Sequence, residues 1–329
     1  MGQPPQNLLP RVMATVLVAL LPVVALSLSS ASAATGILVL GMLPTLSAAA
    51  SGPRAMLTAG GASVVVAVVA VFTTGSGALL PVLGTALVVA LAFATGALSP
   101  RGLHPIGAST IAFTAYLLVD PSRVLHVLGS HLPLATTAFL LAGMVLLASL
   151  WAVGATAVIL RGVRLPPVVG PTTLPYGTIL AVLCGAFTLV CLVWFRGTNA
   201  WWAVMTIAMI LQPAHADTAQ KINGRILGTI LGGTAAAVLA TLVPGEVRAT
   251  LLGVAATLLS VPLLLGGAAY WLYTTVVTVS VILLTFEGTE LYVGDMQRIV
   301  ITSVAAAVTA AAVWVAALLA RRFHPAAEG

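Results

Sequence analysis

Long apolar stretches follow one another along almost the whole chain, from Val12 to Ala320. Many of them reach or approach the roughly 18 to 20 residues that a helix needs to cross about 30 Å of hydrocarbon. Backbone amides inside a bilayer must be paired within the spanning structure, so only helices and closed barrels qualify. Runs of Leu, Val and Ala without period-two alternation favour helices.

The limits of the apolar stretches predict an all-α integral membrane protein with about twelve transmembrane helices. Six of them form the first half, at residues 12–30, 33–50, 55–72, 78–98, 105–119 and 132–160. Six more form the second half, at residues 174–195, 200–213, 226–243, 250–266, 269–286 and 299–320.

The intervals between these helices set the domain organisation. Residues 12–160 and 174–320 are the two six-helix halves, and residues 161–173, with three prolines, link them. Residues 1–11 and 321–329 are the terminal tails.

The composition agrees with lipid as the solvent of this fold. Of the 329 residues, 60% are hydrophobic and only 6% are charged, and the mean hydropathy is +1.15. A water-soluble domain cannot be built with so few charges. The net charge of +6 comes from cations spread over many intervals, which argues against nucleic acid as a partner. The lipid bilayer is the expected partner.

Lys and Arg occupy alternate intervals between the predicted helices. With the N-terminus in the cytoplasm, the inner set is Arg11, Arg54, Arg101, Arg161, Arg164, Lys221, Arg225, Arg321 and Arg322. The outer set is Arg123, Arg196, Arg248 and Arg298. Short cytoplasmic loops are enriched in Lys and Arg. We therefore predict a multi-pass protein of the plasma membrane with both termini in the cytoplasm.

The N-terminal stretch imitates a secretory signal, because Arg11 precedes an apolar run and the small-residue sequence Ala31-Ser32-Ala33. The run is long for a signal core, and residues 174–195 form a matching helix at the start of the second half. We therefore predict that the stretch is retained as the first helix.

Short motifs recur along the chain. Trp202-x-x-x-Thr206 with Arg225-x-x-x-Thr229 parallels Trp271-x-x-x-Thr275 with Arg298-x-x-x-Thr302, and Arg54-x-x-x-Thr58 is a further Arg-to-Thr pair. In the predicted topology Arg225 lies on the inner face and Arg298 on the outer face. Similar three-helix units would then be inserted in opposite senses. Nested inverted repeats of this kind are typical of transporters.

Residues 199–233 contain paired aromatic residues, a helix ending in Leu-Gln-Pro, a threonine, a basic residue and Arg-x-x-Gly-Thr-x-x-Gly. The residues are Trp201, Trp202, Leu211, Gln212, Pro213, Thr218, Lys221, Arg225, Gly228, Thr229 and Gly232. This pattern resembles the fusaric acid resistance protein family, the bacterial aromatic acid exporters related to plant aluminium-activated malate transporters.

The resemblance extends to Arg298 and Thr302 and covers residues 174–320, whereas the first half matches loosely through Pro44 and Arg54. It implies efflux of small organic anions, aromatic or amphipathic, driven by the proton gradient or the membrane potential. The sequence has no counterpart of the large cytoplasmic domain that many relatives contain. We therefore do not extend the regulation and assembly of those relatives to this protein, and the sequence leaves open whether it forms a homo-oligomer.

The same stretch has a physical interpretation of its own. Asp217, Lys221 and Arg225 are spaced i, i+4, i+8, so in a helix they form one polar stripe. Glycines at positions 224, 228 and 232 form a small-residue stripe beside it. The cations are either ordinary anchors of the inner side or part of a vestibule that attracts anions.

The predicted helix at residues 201–213 is short for a bilayer, and Pro44 lies at the corresponding place in the first half. Paired short or proline-interrupted helices point to a transport site, although a simple helix end with a proline stop is the alternative. The candidate pathway residues are Arg54, Gln212, His215, Thr218, Lys221, Arg225, Thr229 and Arg298, with Thr45 and Ser47 opposite.

Other polar and aromatic residues have less specific interpretations. Asp217, Glu287 and Glu290 are candidates for proton coupling, with a solvated loop as the alternative for the two glutamates. Four tryptophans near predicted helix ends are interpreted mainly as anchors at the membrane interface: Trp194, Trp201, Trp202 and Trp271.

Enzymatic function is not expected, because the sequence has no Walker loop, zinc-binding His/Glu helix or nucleophile elbow. No metal or other cofactor is predicted, and Cys184 and Cys191 are expected to be packing residues. The remaining alternatives to an organic-anion exporter are a major-facilitator-type carrier, a channel-like anion pathway and a non-transporting accessory membrane subunit.

Overall fold

The computed structural model describes residues 8–29, 34–122, 132–161, 175–243, 245–285 and 290–323. The described part contains no β-strand, which confirms the all-α prediction there. The first half contains α1 (Leu8–Ser27), α2 (Thr35–Ser47), α3 (Pro53–Thr74), α4 (Leu80–Leu98), α5 (His104–Val119) and α6 (Leu134–Ile159). The second half contains α7 (Tyr176–Trp194), α8 (Trp201–Ile210), α9 (His215–Leu242), α10 (Glu246–Leu265), α11 (Tyr270–Thr285) and α12 (Glu290–Phe323).

Most helix ends lie within a few residues of their predicted positions, but two helices begin much earlier. The helix α9 begins at His215 instead of residue 226, and α12 begins at Glu290 instead of residue 299. Both extensions contain several polar residues, so an apolar run marks only the most apolar part of the helix and misses about two to three turns before it. The predicted polar stripe at positions 217, 221 and 225 is therefore helical.

Helix length follows a regular order in the described residues. Eight helices are long and apolar enough to cross a membrane, and four apolar helices are shorter. The short ones are α2 and α5 in the first half and α8 and α11 in the second. Each half thus consists of two successive groups of three helices, and in each group a short helix lies between two long ones.

Helix packing has the same order in both halves. The pair α3 and α6 packs together, as do α9 and α12, and α4 packs on α5 as α10 packs on α11. Contacts between the halves are also reciprocal. The first helix of each half packs against the fourth helix of the other, in the pairs α1 with α10 and α7 with α4. The second helix of each half likewise contacts the fifth helix of the other, in the pairs α2 with α11 and α8 with α5.

Contacts between loops agree with the predicted alternation of ends. At the end predicted to face the cytoplasm, Arg11 donates a hydrogen bond to the carbonyl of Arg161. At the opposite end, the backbone N–H of Gly197 donates to the carbonyl of Val119, with 2.7 Å between the atoms, and Asn199 donates to Gln297. Each of these contacts joins residues that the predicted topology assigns to one side.

Two of the short helices form the centre of the molecule. Every residue of α5 from Ala108 to Val119 is buried, and so is every residue of α8 except Met209. The helices cross each other between the halves. By contrast, long helices such as α4 and α6 expose many large apolar side chains, which is the arrangement expected when lipid is the solvent. Cys184 and Cys191 are buried on α7 facing the backbone of α8.

The predicted glycine stripe of α9 lies against α11. Gly224 faces Tyr270, Gly228 faces Thr274, and Gly232 approaches the turn at positions 275–278. The side-chain oxygen of Thr274 donates to the carbonyl of Gly224 at 2.7 Å. Small residues thus allow two backbones to approach closely, as is common between membrane helices.

This packing makes Gly228 sensitive to any side chain. A Cβ atom there would lie 2.7 Å from Thr274 Cβ and 2.8 Å from the carbonyl oxygen of Trp271. We expect Gly228→Ala to destabilise the protein by about 1–3 kcal/mol, the usual cost of overpacking. Thermal unfolding of the purified protein measures the effect. Gly154→Ala on α6 is the matched control, because no atom lies within 4 Å of the added carbon. Equal stability of the two variants would contradict the packing argument.

Candidate functional site

The chain between α8 and α9 is extended inside the protein. The helix α8 has only 10 residues, about 15 Å at 1.5 Å per residue. Leu211 and Ala214 have extended backbone angles, and Pro213 between them cannot donate a backbone hydrogen bond. All of these residues are buried. Non-helical backbone at such depth is tolerated only where protein or water satisfies its polar groups.

Thr218 supplies those hydrogen bonds. Its Oγ1 accepts from the backbone N–H of Gln212 at 2.9 Å. The same hydroxyl lies 3.1 Å from the carbonyl of Ala214 and 3.2 Å from that of Gln212, to which it can donate. The side-chain amide of Gln212 donates to the carbonyls of Met209 and Leu211. The first turn of α9 thus holds the end of α8 in place.

The first half contributes His104 to this region. His104 begins α5 and is 5% exposed. Its imidazole lies near the Gln212 side chain and within electrostatic range of Lys221 and Asp217. The ring also meets Tyr176 of α7 edge-on, with 6.1 Å between ring centroids. We call the residues His104, Tyr176, Gln212, Thr218 and Lys221 the inner cluster.

Lys221 of the inner cluster is followed one turn later on α9 by a second cation, Arg225. Lys221 Nζ is 5.9 Å from the centroid of the Tyr270 ring. Arg225 is 8% exposed, and its Nε has no hydrogen-bond partner among the described residues. A charge this deep in a membrane protein is costly and generally functional.

A third cation lies at the opposite end of α8. Arg298 of α12 is 1% exposed, and its guanidinium carbon is 4.2 Å from the centroid of the Trp202 ring. Trp201 stacks on Trp202 with centroids 4.3 Å apart, and Tyr116 meets Trp201 edge-on. Cation–π contacts of this kind gain strength when water is excluded.

The interpretation of Trp201 and Trp202 as interface anchors is therefore wrong. Both rings are 3% exposed and belong to the central core. Their position near a helix end misled the prediction, because α8 is short and its end lies inside the protein. Trp194 and Trp271 are exposed, as an interface position requires.

Three buried threonines lie on the mutually packed helices α8, α9 and α12. The hydroxyls of Thr206, Thr229 and Thr302 have no hydrogen-bond partner in the described part of the chain. The hydroxyls of Thr35, Thr85, Thr188 and Thr278 on other helices share this property, whereas others, such as that of Thr309, donate to the carbonyl four residues earlier. Buried hydroxyls normally have a partner, so water or a ligand can bind at the three threonines of α8, α9 and α12.

The other predicted site residues do not join this group. Arg54 and Asp217 are exposed, and Thr45 donates to Ser149 within the packing of α2 on α6. His215 and Glu290 lie in helices, but their side chains are outside the described structure, and Glu287 lies outside the described residues. Of the predicted set, Gln212, Thr218, Lys221 and Arg225 come together, with Thr229 further along α9 and Arg298 on the adjoining helix α12.

Sequence reasoning missed His104, Tyr176 and the Trp202 contact of Arg298. One signal was present: a histidine directly before proline, at the start of an apolar helix, in the loop that also contains Arg101. Nothing in the sequence indicated that this loop faces residues more than 100 positions later.

Comparison with known proteins adds one finding. Residues 183–319 match the sequence model of a family described as fusaric acid resistance protein-like. The match confirms the family resemblance over α8 to α12 and most of α7, and together with the apolar helices it indicates a membrane transporter. No curated protein and no solved structure matches the chain.

The Thr218 network generates a prediction. Thr218→Val keeps the shape but leaves the Gln212 N–H unpaired, so we expect a loss of about 1–3 kcal/mol in the free energy of unfolding. Thr218→Ser retains the oxygen and should lose far less. Unfolding in detergent with increasing denaturant measures both.

Thr234→Val is the control, because that exposed hydroxyl donates only to the carbonyl of Ile230 in its own helix. If Thr218→Val and Thr234→Val were equally mild, the extended segment would not depend on Thr218.

Proposed function

We propose, from the family match of residues 183–319 and the site geometry, that the chain exports small organic anions across the plasma membrane. Aromatic or amphipathic carboxylic acids are the expected substrates. The observation that carries the proposal is a pair of buried guanidinium groups, Arg225 and Arg298, near opposite ends of the short helix α8. Charged side chains are rare inside membrane proteins, and those that occur there generally mark substrate or ion pathways.

The pathway we propose runs along α8, between α9 and α12. Arg225 lies near its inner end, and Arg298 lies near its outer end. The unpartnered hydroxyls of Thr206, Thr229 and Thr302 lie on the same three helices. Hydroxyls and cations together suit a hydrated carboxylate, since they donate hydrogen bonds to it along the route.

The architecture we propose is twelve spans in two six-helix repeats. The reciprocal contacts between helices support this repeat, as does the placing of the short helices at the second and fifth positions of each half. The long-short-long order also suits a nested three-helix unit, inserted in alternating senses as the Arg225 and Arg298 motifs suggest.

The orientation we propose places both termini, and Lys221 and Arg225, on the cytoplasmic side. A basic mouth concentrates anions on the side from which they leave. An inside-negative membrane potential then drives an anion outward, with about 2.3 kcal/mol per charge for each 100 mV. Coupling to protons through Asp217, Glu287 or Glu290 is the alternative energy source.

Transport assays test the function directly. We expect everted membrane vesicles to accumulate an aromatic acid such as benzoate, because their cytoplasmic face is outward. Dissipating the potential alone should abolish uptake if the potential drives export, whereas sensitivity to the pH gradient alone would indicate proton coupling. A panel of aromatic and dicarboxylic acids defines the substrate. Failure to transport any of them would favour an accessory subunit.

A second test separates a pathway role of Arg225 from a general effect of positive charge. We expect Arg225→Gln to reduce benzoate transport at least about ten-fold, because a nearby charge acts strongly in a partly dehydrated mouth. Insertion should persist, since eight other cations belong to the inner set. Initial rates at equal membrane protein content measure the effect.

The matched variant is Arg225→Gln combined with Asn223→Arg, which restores the net charge at an exposed position of α9 about 200° around the helix. This variant should remain defective. Arg161→Gln removes an exposed inner cation and should transport normally. Recovery of transport in the double variant would show that Arg225 acts only as a positive anchor.

A further inference from the structure

We propose that His104 and Tyr176 form, with Lys221, a carboxylate-binding site at the inner end of the pathway. His104 lies at the start of α5 in the first half, whereas Tyr176 and Lys221 belong to the second half. The inference rests on the proposed export of organic anions and identifies where the anion first docks. The site lies between the two halves: His104 and Tyr176 lie on α5 and α7, and only Lys221 lies on a helix of the proposed pathway, α9.

The first observation is a pair of buried polar atoms without partners. His104 is 5% exposed and Tyr176 is 2% exposed. Nδ1 of His104 and the hydroxyl oxygen of Tyr176 have no hydrogen-bond partner in the described residues. A buried polar atom left unpaired costs about 1–3 kcal/mol. Two such atoms on rings that meet edge-on therefore indicate a place for a ligand or for water.

The second observation is their geometry. The two rings meet edge-on at 6.1 Å between centroids. Close glycine contacts hold the supporting helices together, since Gly177 of α7 lies against Gly96 of α4. Nδ1 of His104 is left for another group, because it has no hydrogen-bond partner among the described residues.

The third observation is charge. Lys221 acts electrostatically on His104 and lies beside Tyr270, and Asp217 is the acidic group within range of His104. A phenol and an imidazole N–H are both hydrogen-bond donors, and an ammonium supplies the opposite charge. Two donors and a cation match the two oxygens of a carboxylate. An apolar ligand would leave all three groups unsatisfied.

Binding of benzoate to the purified full-length protein in nanodiscs tests the site. Tyr176→Phe removes only the hydroxyl, and we expect it to weaken benzoate binding at least about ten-fold, equivalent to about 1.4 kcal/mol. Thermal stability of the unliganded protein should stay unchanged or rise, because an unpaired buried hydroxyl is removed. A merely structural hydroxyl would instead lower stability without a specific effect on affinity.

Two substitutions of His104 distinguish its two nitrogens. The amide of glutamine reaches the position of Nε2, and that of asparagine reaches the position of Nδ1. We therefore expect His104→Gln to weaken benzoate binding about ten-fold, and His104→Asn to keep most of the affinity. Trp151→Phe, which removes a peripheral N–H that donates to the carbonyl of Val18, is the control and should bind normally.

The outcomes separate the two levels of the proposal. If the parent protein binds and transports acids while Tyr176→Phe and His104→Gln bind them equally well, the docking site is refuted and the proposed function stands. Equal binding of benzamide, which has no charge, would also refute a carboxylate site. If the parent neither binds nor transports any acid of the panel, the proposed function fails and the docking site with it.

Discussion

The structure depends on one constraint: the backbone between α8 and α9 is not helical, and lipid offers no hydrogen bonds to its polar groups. Lipid cannot pair with a free N–H or carbonyl, so the extended segment after α8 must find its partners within the protein. Thr218 and the Gln212 amide provide them, and the burial of α8 between α5, α9 and α12 keeps lipid away. The short helix in the centre is packed against longer helices that are long and apolar enough to cross a bilayer.

The same constraint explains the placement of charge. A guanidinium in hydrocarbon is expensive, yet Arg225 and Arg298 are buried next to the ends of α8. Aromatic rings lie beside two cations of the site: Trp202 lies against Arg298, and Tyr270 lies beside Lys221, one turn before Arg225. Ring faces hold these cations at fixed positions, which is the physical basis of the proposed export pathway.

The two halves are alike in helix order and unlike in chemistry. The described first half has no buried guanidinium, and its Arg54 is exposed, with the hydroxyl of Thr58 bonded to the carbonyl of Arg54. In the second half, the hydroxyls of Thr229 and Thr302 lack such bonds. The Arg-x-x-x-Thr motif is therefore exposed and bonded within its own helix in the first half, whereas in the second half it supplies the pathway that we propose.

The sequence by itself determined the membrane class, the helical fold, nearly all helix positions and the polar stripe of α9. These properties follow from apolar length and local spacing, which each segment expresses without its neighbours. Only the tertiary structure decided which residues meet: His104 with Tyr176 and Gln212, and Arg298 with Trp202. Such contacts depend on how helices distant in the chain pack, and lipid-facing and core-facing apolar residues look the same in the sequence. For that reason Trp201 and Trp202 resembled surface anchors until the packing placed them in the core.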